Sequence, residues 1–307
     1  MGPHDARSGE GRRLGVFSSL HAAIAAAEAQ GASLARVALE AESRDQGRSI
    51  EDIRSALRRA LDIMRGAVDR GMQGDLRSAS GLVGGDAAKL REGPPGPLAG
   101  TLFRDVLARA LAVQEVNAAM GVIVAAPTAG GAGVLPAVLT GLAAAQRIDD
   151  ERLVDALATA GLIGAVIAER ASLSGAEGGC QAETGAAAAM AAGAATEMCG
   201  GTPAQAGHAI ALAMQGTLGL VCDPLGGLVE IPCVFRNATG AAIAMAAVEM
   251  AIAGIEFRIP VDEVIDTMGE IGRSMDVRYR ETAGGGLAAT PTGRRLTRER
   301  LVQLKKS

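Results

Sequence analysis

The amino-acid sequence predicts an all-α protein, a single large helical domain with glycine-rich loops. The chain has 307 residues, with only four Phe, one Tyr and no Trp against 42 Gly and long alanine tracts. A core without large aromatic side chains needs backbones that approach one another closely, and helix-on-helix packing provides this. Sustained alternation of apolar and polar residues is missing, which also favours the helical class over strands.

Capping signals and apolar periodicity predict the individual helices. Ser49 with Asp52 forms an acidic variant of the capping box, and apolar residues follow at helical spacing until Gly71. Thr202 opens a second capping box, and Gly216 ends that helix. Periodicity predicts further helices over about 17–30, 101–119, 134–146, 151–170, 181–199, 234–253 and 261–275.

The sequence divides into three parts. Residues 1–15 are predicted to be a disordered N-terminal extension, residues 16–290 the helical domain, and residues 291–307 a basic tail. The tail carries six Lys or Arg and one Glu between Gly293 and Lys306, which favours a solvated or partner-contacting segment. The proline-rich stretch 92–97 is interpreted as a stiff loop within one functional unit.

Charge and hydropathy exclude several classes of function. The formal net charge of -4 offers no broad cationic surface, so a nucleic-acid role is not expected. The N-terminus is charged and lacks the apolar core of a secretory signal, which predicts a cytoplasmic protein. The stretch from Ala118 to Gln146 has no charge, but Pro127 and Pro136 interrupt it, so we predict two buried segments joined by a functional loop and no membrane span.

Three of the four cysteines lie in glycine- and proline-rich loops: Cys180 in one, Cys222 and Cys233 in another. Thiolates are soft ligands for iron–sulfur clusters or zinc, and such loops can fold tightly around a bulky inorganic group. The alternative is that the cysteines are buried as small apolar residues, and we assign Cys199, inside a helical run, to that class. Three ligands would leave one coordination position open, which indicates catalysis.

The predicted helix boundaries bring these sulfurs to favourable places. Cys180 immediately precedes helix 181–199 and Cys233 immediately precedes helix 234–253, so both lie at helix N-termini, where partial positive charge stabilises a thiolate. Cys222 lies in the intervening loop and can fold back to the same point. The sequence therefore predicts cluster-binding loops.

Several ordered motifs resemble a known family. They include SGLVGGD from Ser80 to Asp86, SLSGAEGGCQAETG, GLVCDPLGGLVEIPCVFRNA, YRETAGGGLAATPTG, MAAGAATEMCGGTPAQ and AAPTAGGAGVLPAVL. Together they resemble the iron–sulfur L-serine dehydratases, specifically the separate alpha chain of the two-subunit bacterial form. The resemblance runs from about residue 16 to 295.

The resemblance implies a cofactor and a reaction. A [4Fe–4S] cluster would be carried by Cys180, Cys222 and Cys233, and residues 16–290 would be the catalytic domain. L-serine would lose water across Cα and Cβ, and the resulting aminoacrylate would tautomerise and hydrolyse to pyruvate and ammonia. The open iron would act as a Lewis acid on the substrate hydroxyl.

Two groups of residues are candidates for substrate contacts. Successive backbone amides in a glycine loop can bind a carboxylate, although a tight turn between helices would explain the same glycines. Serines before Cys180 and polar residues after Cys233 could also contact substrate, with helix or loop caps and a structural ion pair as the alternatives. The candidates are Thr128, Gly130, Gly131, Gly133, Ser172, Ser174, Arg236 and Asn237.

The general base is not evident from the sequence. His21 and His208 are weak candidates on predicted helices, and the carboxylates of Glu183 and Asp223 lie beside the cluster cysteines. Single-chain members of the family carry a candidate Ser-His motif in a half that this chain lacks. We therefore expect a beta chain as partner, a base contributed by it, and an oligomeric enzyme.

Other chemistries are weaker interpretations. Pyridoxal-phosphate catalysis needs a Schiff-base lysine, and the only lysines are Lys89, Lys305 and Lys306, none in a recognisable cofactor motif. An iron–sulfur L-cysteine desulfidase, a three-cysteine zinc site and a non-enzymatic iron–sulfur sensor stay open as alternatives. The choice of serine over threonine or cysteine as substrate is also open.

Overall fold

The computed structural model of the chain describes residues 17–94, 96 and 100–304. The N-terminal extension predicted for residues 1–15 lies outside the described residues. Within them the regular structure is helical and contains no β-strand, which confirms the predicted all-α class. The α-helices, in chain order, are α1 (Leu20–Gln30), α2 (Leu34–Gln46), α3 (Ile50–Gly71), α4 (Asp86–Glu92), α5 (Thr101–Ala118), α6 (Val134–Gln146), α7 (Asp150–Arg170), α8 (Gly175–Gly178), α9 (Ala186–Met198), α10 (Pro203–Gln215), α11 (Cys233–Ile252), α12 (Val261–Ser274) and α13 (Pro291–Leu304).

The alanine-rich helix α9 is the centre of the fold. It packs against α6, α7, α10 and α11, and its residues from Ala186 to Thr196 are buried. Small side chains let these helices approach closely: a Cβ on Gly193 would lie 2.6 Å from Ile163 Cδ1 and 2.7 Å from Ile210 Cγ1. The composition without large aromatic residues is therefore matched by close helix packing.

Capping explains several helix starts. The hydroxyl of Ser49 accepts from the Asp52 amide at the start of α3, and Thr202 and Gln205 form a complete capping box at the start of α10. Both features were predicted from the sequence. Gly71 is the last residue of α3, also as predicted.

Four helices were not predicted, of which α8, with 4 residues, is the shortest. Helix α2 is strongly polar in its second half, yet the Ser33 side chain caps its start and Gly47 ends it in the left-handed conformation at φ 64°. Helix α4 is only 7 residues long. The segment from residue 291, predicted to be a basic tail, forms α13 over Pro291–Leu304, with proline at the first position where its missing amide costs nothing.

The part of the uncharged stretch that forms α6 and the turn before it lies in the interior of the fold. Ala129–Gln146 is long and apolar enough to cross a membrane by length and composition, but 78% of it is buried inside the protein. A short 3₁₀ turn, Ala129–Gly131, precedes α6 and separates it from the loop before it. The second of the two predicted buried segments is thus buried, but the prediction of a first one is wrong. The chain leaves the helical core where α5 ends at Ala118, and Met120 and Val122 are 85% and 74% exposed.

The N-terminal ends of three helices meet at one end of the molecule. The 3₁₀ turn before α6, a π-helical turn (Gln181–Gly185) before α9 and the first turn of α11 are in mutual contact. Each helix is preceded by a glycine-rich loop, and glycine lets these backbones approach closely. The candidate site is built from these loops.

Candidate active site

The three loop cysteines are buried beside one another at this end of the fold. Cys180, Cys222 and Cys233 are 2%, 2% and 5% exposed, and none forms a disulfide. Cys180 precedes the π-helical turn, and its Sγ lies 3.2 Å from the Thr184 hydroxyl. Cys233 is the first residue of α11.

Cys199 lies elsewhere. It follows the last residue of α9 and its Sγ contacts Gln146 Oε1 at 3.7 Å. Because α9 has 13 residues, about 20 Å of helix separates its two ends. The placement agrees with the assignment of Cys199 outside the candidate cluster site.

The environment of the three thiols opposes their ionisation in the absence of a cation. Burial raises the pKa of Cys180, and burial together with the nearby Cys180 and Glu183 raises the pKa of Cys222. The same causes raise the pKa of Cys233 to about 12. The expected stabilisation from helix N-termini is outweighed here by desolvation and mutual repulsion. Three thiolates at this place would need positive charge between or beside them, which a metal group supplies.

The chemistry of the donor set suits an iron–sulfur cluster. Among the residues that the structure describes, no three His, Cys, Asp or Glu side chains are grouped as ligands of one metal ion. Thiols are soft ligands, and in an iron–sulfur cluster each thiolate binds its own iron. Cys180, Cys222 and Cys233 are therefore the residues that could hold such a group.

The segment from Tyr279 to Leu287, which follows α12, is hydrogen-bonded to the loop that carries Cys222. The Cys222 amide donates to the Tyr279 carbonyl at 2.8 Å, and the Glu281 amide donates to the Cys222 carbonyl at 2.9 Å. One residue further on, Asp223 Oδ2 accepts from the Leu287 amide at 2.7 Å. Reasoning from the sequence assigned no role to this segment, although its YRETAGGGLAAT motif was a signal that could have found it.

Glu183 connects the loop from Thr128 to Gly133, the glycine loop, to the loop that carries Cys222. Its carboxylate accepts a hydrogen bond from Thr128 Oγ1 at 2.7 Å and lies 3.8 Å from Cys222 Sγ. A Cβ on Gly130 would lie 2.8 to 3.0 Å from this carboxylate, and one on Gly175 would lie 2.6 Å from it. Burial raises the pKa of Glu183, and the hydrogen bond from Thr128 only partly opposes that effect.

An open cavity of about 430 Å³ borders this carboxylate. Three of its lining residues are acidic, and the predicted substrate contacts Thr128, Ser172 and Ser174 line it as well. The Ser172 hydroxyl donates to Glu177 Oε2 at 2.6 Å and accepts from the Ser174 amide at 3.0 Å. The acidic residues are Glu177, Glu183 and Glu281.

The glycine loop is partly committed to internal contacts. The Gly133 amide donates to Asn237 Oδ1 at 2.9 Å, and the Gly131 amide donates to the Thr128 carbonyl at 3.3 Å. Asn237 is fully buried, and its amide nitrogen donates to the carbonyls of Gly130 and Cys233 at 2.7 and 2.9 Å. All polar atoms of Asn237 thus bind protein, so this residue ties the glycine loop to the start of α11.

Arg236 and Asp223 form the ion pair that the sequence analysis weighed as an alternative. Arg236 Nη2 lies 2.8 Å from Asp223 Oδ1, and Arg236 Nη1 donates to the Val221 carbonyl at 2.8 Å. The Arg236 guanidinium also lies near enough to Cys180 for its charge to lower the pKa of that thiol, which opposes the effect of burial. Asp223 is therefore held by an ion pair at Oδ1, which accepts no hydrogen bond from the described residues, and by the Leu287 amide at Oδ2; its side chain is only 3% exposed.

The two candidate histidines lie together in a different cavity. His21 on α1 and His208 on α10 both line a surface cavity with Phe257 and Ile259. Neither lines the cavity that contains Thr128 and Glu183. Of the four candidate bases from the sequence, only Glu183 borders the latter cavity.

Gln181 is a site residue that sequence reasoning missed. It is fully buried, donates to the Gly178 and Met268 carbonyls, and accepts from the Gly219 amide at 2.9 Å. It links the Cys180 loop, α12 and the Cys222 loop. Its position directly after Cys180 was the available signal.

Comparison with known proteins identifies the family. The family described as "Serine dehydratase alpha chain" matches residues 29–288. The chain belongs to the serine dehydratase alpha chain family. It is 52% identical over 253 residues to the "Probable L-serine dehydratase, alpha chain" of Bacillus subtilis, covering 81% of this chain and 83% of that protein.

Two further relatives in this family differ in length. The "L-serine dehydratase, alpha chain" of Peptoniphilus asaccharolyticus is 40% identical over 277 residues, covering 89% of this chain and 94% of that protein. The "L-serine dehydratase" of Streptomyces coelicolor is 44% identical over 259 residues, covering 82% of this chain but only 56% of that protein. The serine dehydratase alpha chain thus corresponds to part of that longer relative.

Proposed function

We propose that this chain is the cluster-bearing alpha chain of an L-serine ammonia-lyase that converts L-serine to pyruvate and ammonia. The observation that carries the proposal is the burial of Cys180, Cys222 and Cys233 next to the Thr128–Glu183 hydrogen bond. Relatives at 40% to 52% identity carry the name L-serine dehydratase, alpha chain, which supports the same reaction.

Cys180, Cys222 and Cys233 would hold a [4Fe–4S] cluster. When bound, the cluster supplies Lewis acidity toward the substrate hydroxyl, because three protein ligands leave one iron without a thiolate. The chain contributes burial and a fixed arrangement of the sulfurs. The Thr184 hydroxyl contacts Cys180, the charge of Arg236 lies nearby, and the backbone of Tyr279 and Glu281 holds Cys222.

The cavity beside Glu183 would bind the amino acid. Its acidic lining favours the α-ammonium group of L-serine, which a hydroxy acid lacks. On the glycine-loop side, the Gly130 amide is the proposed donor to the substrate carboxylate, with Gly131 supporting the turn. The Thr128 hydroxyl, whose proton is donated to Glu183, would contact the substrate as an acceptor from its ammonium group. Ser172 and Ser174 would contact the substrate from the opposite loop.

Glu183 is our proposed acceptor of the Cα proton within this chain. His21 and His208 line another cavity, and both Asp223 oxygens are bound by Arg236 and Leu287. Glu183 has one oxygen bound by Thr128 and the other directed toward Cys222. A carboxylate at the edge of a cavity and beside the cysteines is placed to take a proton from bound substrate.

A beta chain is the proposed partner. The cavity beside Glu183 is open in this chain, and a second chain that covers it would exclude water from the reaction. The alpha chain names of the relatives support such a partner. We propose a cytoplasmic enzyme, since a reducing compartment keeps the three thiols available as ligands.

An anaerobic pyruvate assay tests this proposal. The iron-loaded chain should be nearly inactive by itself and active on L-serine once the beta chain is added. In that complex Glu183→Gln should lower kcat by roughly 10²–10⁴-fold, the usual contribution of a general base. Glu177→Gln, a carboxylate of the same cavity, serves as the matched control and should affect mainly KM.

The outcomes separate the parts of the proposal. Full kcat in Glu183→Gln would assign the base to the beta chain. Turnover of L-cysteine in place of L-serine would favour a desulfidase. High activity without bound iron would contradict the proposed cluster chemistry.

A further inference from the structure

A buried carboxylate lies in the loop between two of the proposed cluster cysteines. Glu230 precedes Cys233 by three residues and is only 4% exposed. It does not line the substrate cavity. Burying a carboxylate is costly unless hydrogen bonds replace its water, so its partners indicate what it does.

All hydrogen-bond donors to the Glu230 side chain come from one distant loop. Ser78 Oγ donates to Oε2 at 2.7 Å, the Ser80 amide donates to Oε1 at 3.2 Å, and the Ser80 hydroxyl also donates. The two hydroxyls in turn accept from the amides of Val83 and Leu82, at 3.3 and 3.2 Å. Since those contacts occupy hydroxyl lone pairs, the hydroxyl protons are directed at the carboxylate.

The loop that supplies these donors, residues 78–83, is held firmly in the fold; we call it the serine loop. The Ser78 amide donates to the Val83 carbonyl at 3.0 Å, which closes the loop. The Ala79 amide donates to the Ala118 carbonyl at 3.2 Å, which attaches it to the end of α5. Val83 belongs to the same buried hydrophobic cluster as Val234 in the first turn of α11.

The backbone of Glu230 is equally constrained on the cysteine side. Its carbonyl accepts from the Val234 amide at 2.9 Å, and its amide donates to the Leu228 carbonyl at 2.8 Å. The Leu225 amide donates to the Ile231 carbonyl at 2.9 Å, which closes the loop that follows Cys222. Any shift of Glu230 would therefore move the start of α11, where Cys233 lies.

We propose that Glu230 is a positioning residue that fixes the Cys222–Cys233 loop on the serine loop and thereby keeps the cysteines in place for cluster binding. The inference rests on the proposed function for the identity of the cluster, but the contact itself does not. Hydrogen bonds to a carboxylate are stronger than those between neutral groups, which suits a residue that fixes a loop. It also gives a role to the SGLVGGD motif, which the proposed reaction leaves unused.

Cluster stability in the complete alpha–beta enzyme tests this role. Four proteins are loaded with iron anaerobically: wild type, Glu230→Ala, Glu230→Gln and the double variant Ser78→Ala/Ser80→Ala. The loss of visible cluster absorbance on exposure to air or a chelator is then followed. In parallel, the rate at which iodoacetamide alkylates Cys222 and Cys233 is measured on the iron-free alpha chain.

Glu197→Ala is the matched control. Like Glu230, the Glu197 carboxylate accepts three hydrogen bonds. They come from the backbone amides of Leu34 and Ala35 and from the Thr159 hydroxyl. It anchors the start of α2 and not a cysteine loop. Its removal should lower the melting temperature without exposing the cysteines.

We expect Glu230→Ala to lose its cluster at least about tenfold faster than wild type, and its two thiols to react faster by a similar factor, because charge-assisted bonds are removed. The double serine variant should behave alike. Glu230→Gln, which keeps one acceptor oxygen, should be intermediate.

The Glu230 and Glu197 variants are compared at temperatures the same number of degrees below their melting temperatures. Equal rates of cluster loss and of thiol alkylation in the two variants would overturn the inference. If Glu230→Ala does not fold, the rates of cluster loss and thiol alkylation in Glu230→Gln and in the double serine variant test the positioning role instead. A wild-type protein that binds no iron would contradict the proposed function, while the alkylation rates would still test the positioning role.

Discussion

The glycines of the active-site loops and those of the helical body perform different tasks. In the body, a Cβ on Gly193 would meet Ile163 and Ile210, which are fully buried core side chains. At the site, a Cβ on Gly130 or Gly175 would meet the carboxylate of Glu183. The first glycine lets helices pack, and the other two leave room for a functional side chain.

The consequence is that stability and activity depend on different glycines. A core of isoleucines packed on all sides cannot give way, so a methyl group there costs folding free energy. A glutamate carboxylate at a cavity edge can swing aside, so a methyl group there should cost little stability but displace the proposed proton acceptor. Each region can be tested separately.

The largest effect is expected from the cysteines, which the site needs and the helical body does not. Replacing Cys180, Cys222 or Cys233 with Ala should abolish iron binding and lyase activity, because each is a proposed ligand of one iron of the cluster. Iron analysis and a pyruvate assay measure both. Cys199→Ala is the control and should bind about four irons per chain, as expected for wild type. Iron loss in Cys199→Ala with retention in Cys222→Ala would refute the ligand assignment.

An intermediate effect is expected from the site glycines. Gly130→Ala and Gly175→Ala should lower kcat/KM by roughly 10–100-fold, since a displacement of about 1 Å in a reacting group can cost this much. Thermal unfolding should show a melting temperature within about 2 °C of wild type, because the displaced group is a side-chain end. A large fall in melting temperature with unchanged kcat/KM per folded molecule would contradict the comparison.

The smallest effect on activity is expected in the helical body. Gly193→Ala should destabilise the protein by about 1–3 kcal/mol through overpacking, with unchanged kcat/KM at temperatures where it is folded. Urea unfolding measures the change. Gly66→Ala in α3 is the control: no atom lies within 4 Å of its Cβ position, so it should stabilise the helix by about 0.5–1 kcal/mol.

Most of the helical framework could be predicted from local signals. Helix α3 follows its acidic capping box at Ser49, and α10 follows the box at Thr202, because these contacts lie within one turn of the chain. Helix α2 was missed although Ser33 and Gly47 carry the same kinds of signal at its two ends. Its buried apolar residues lie only between Leu34 and Ala41, so periodicity over the whole segment is a weak signal and the caps carry more of the information.

The candidate site was predictable only in part. The three cysteines stood out because soft ligands in glycine-rich loops have a chemistry of their own. The roles of the polar candidates could not be separated, because Thr128 and Glu183 are 55 residues apart in the chain and Ser80 and Glu230 are 150 apart. The sequence around each of these four residues contains no signal of its distant partner.

The sequence by itself determined the helical class and the family, and it singled out the candidate cysteines, because composition, capping and ordered motifs are local properties of the chain. Only the tertiary structure decided which candidates meet. It brought Glu183 to Thr128 and Cys222, engaged Asp223 with Arg236, and placed His21 and His208 in another cavity. The physical reason is that these contacts depend on how close-packed helices bring their N-terminal ends together, and that arrangement is set by the packing of the whole core around α9.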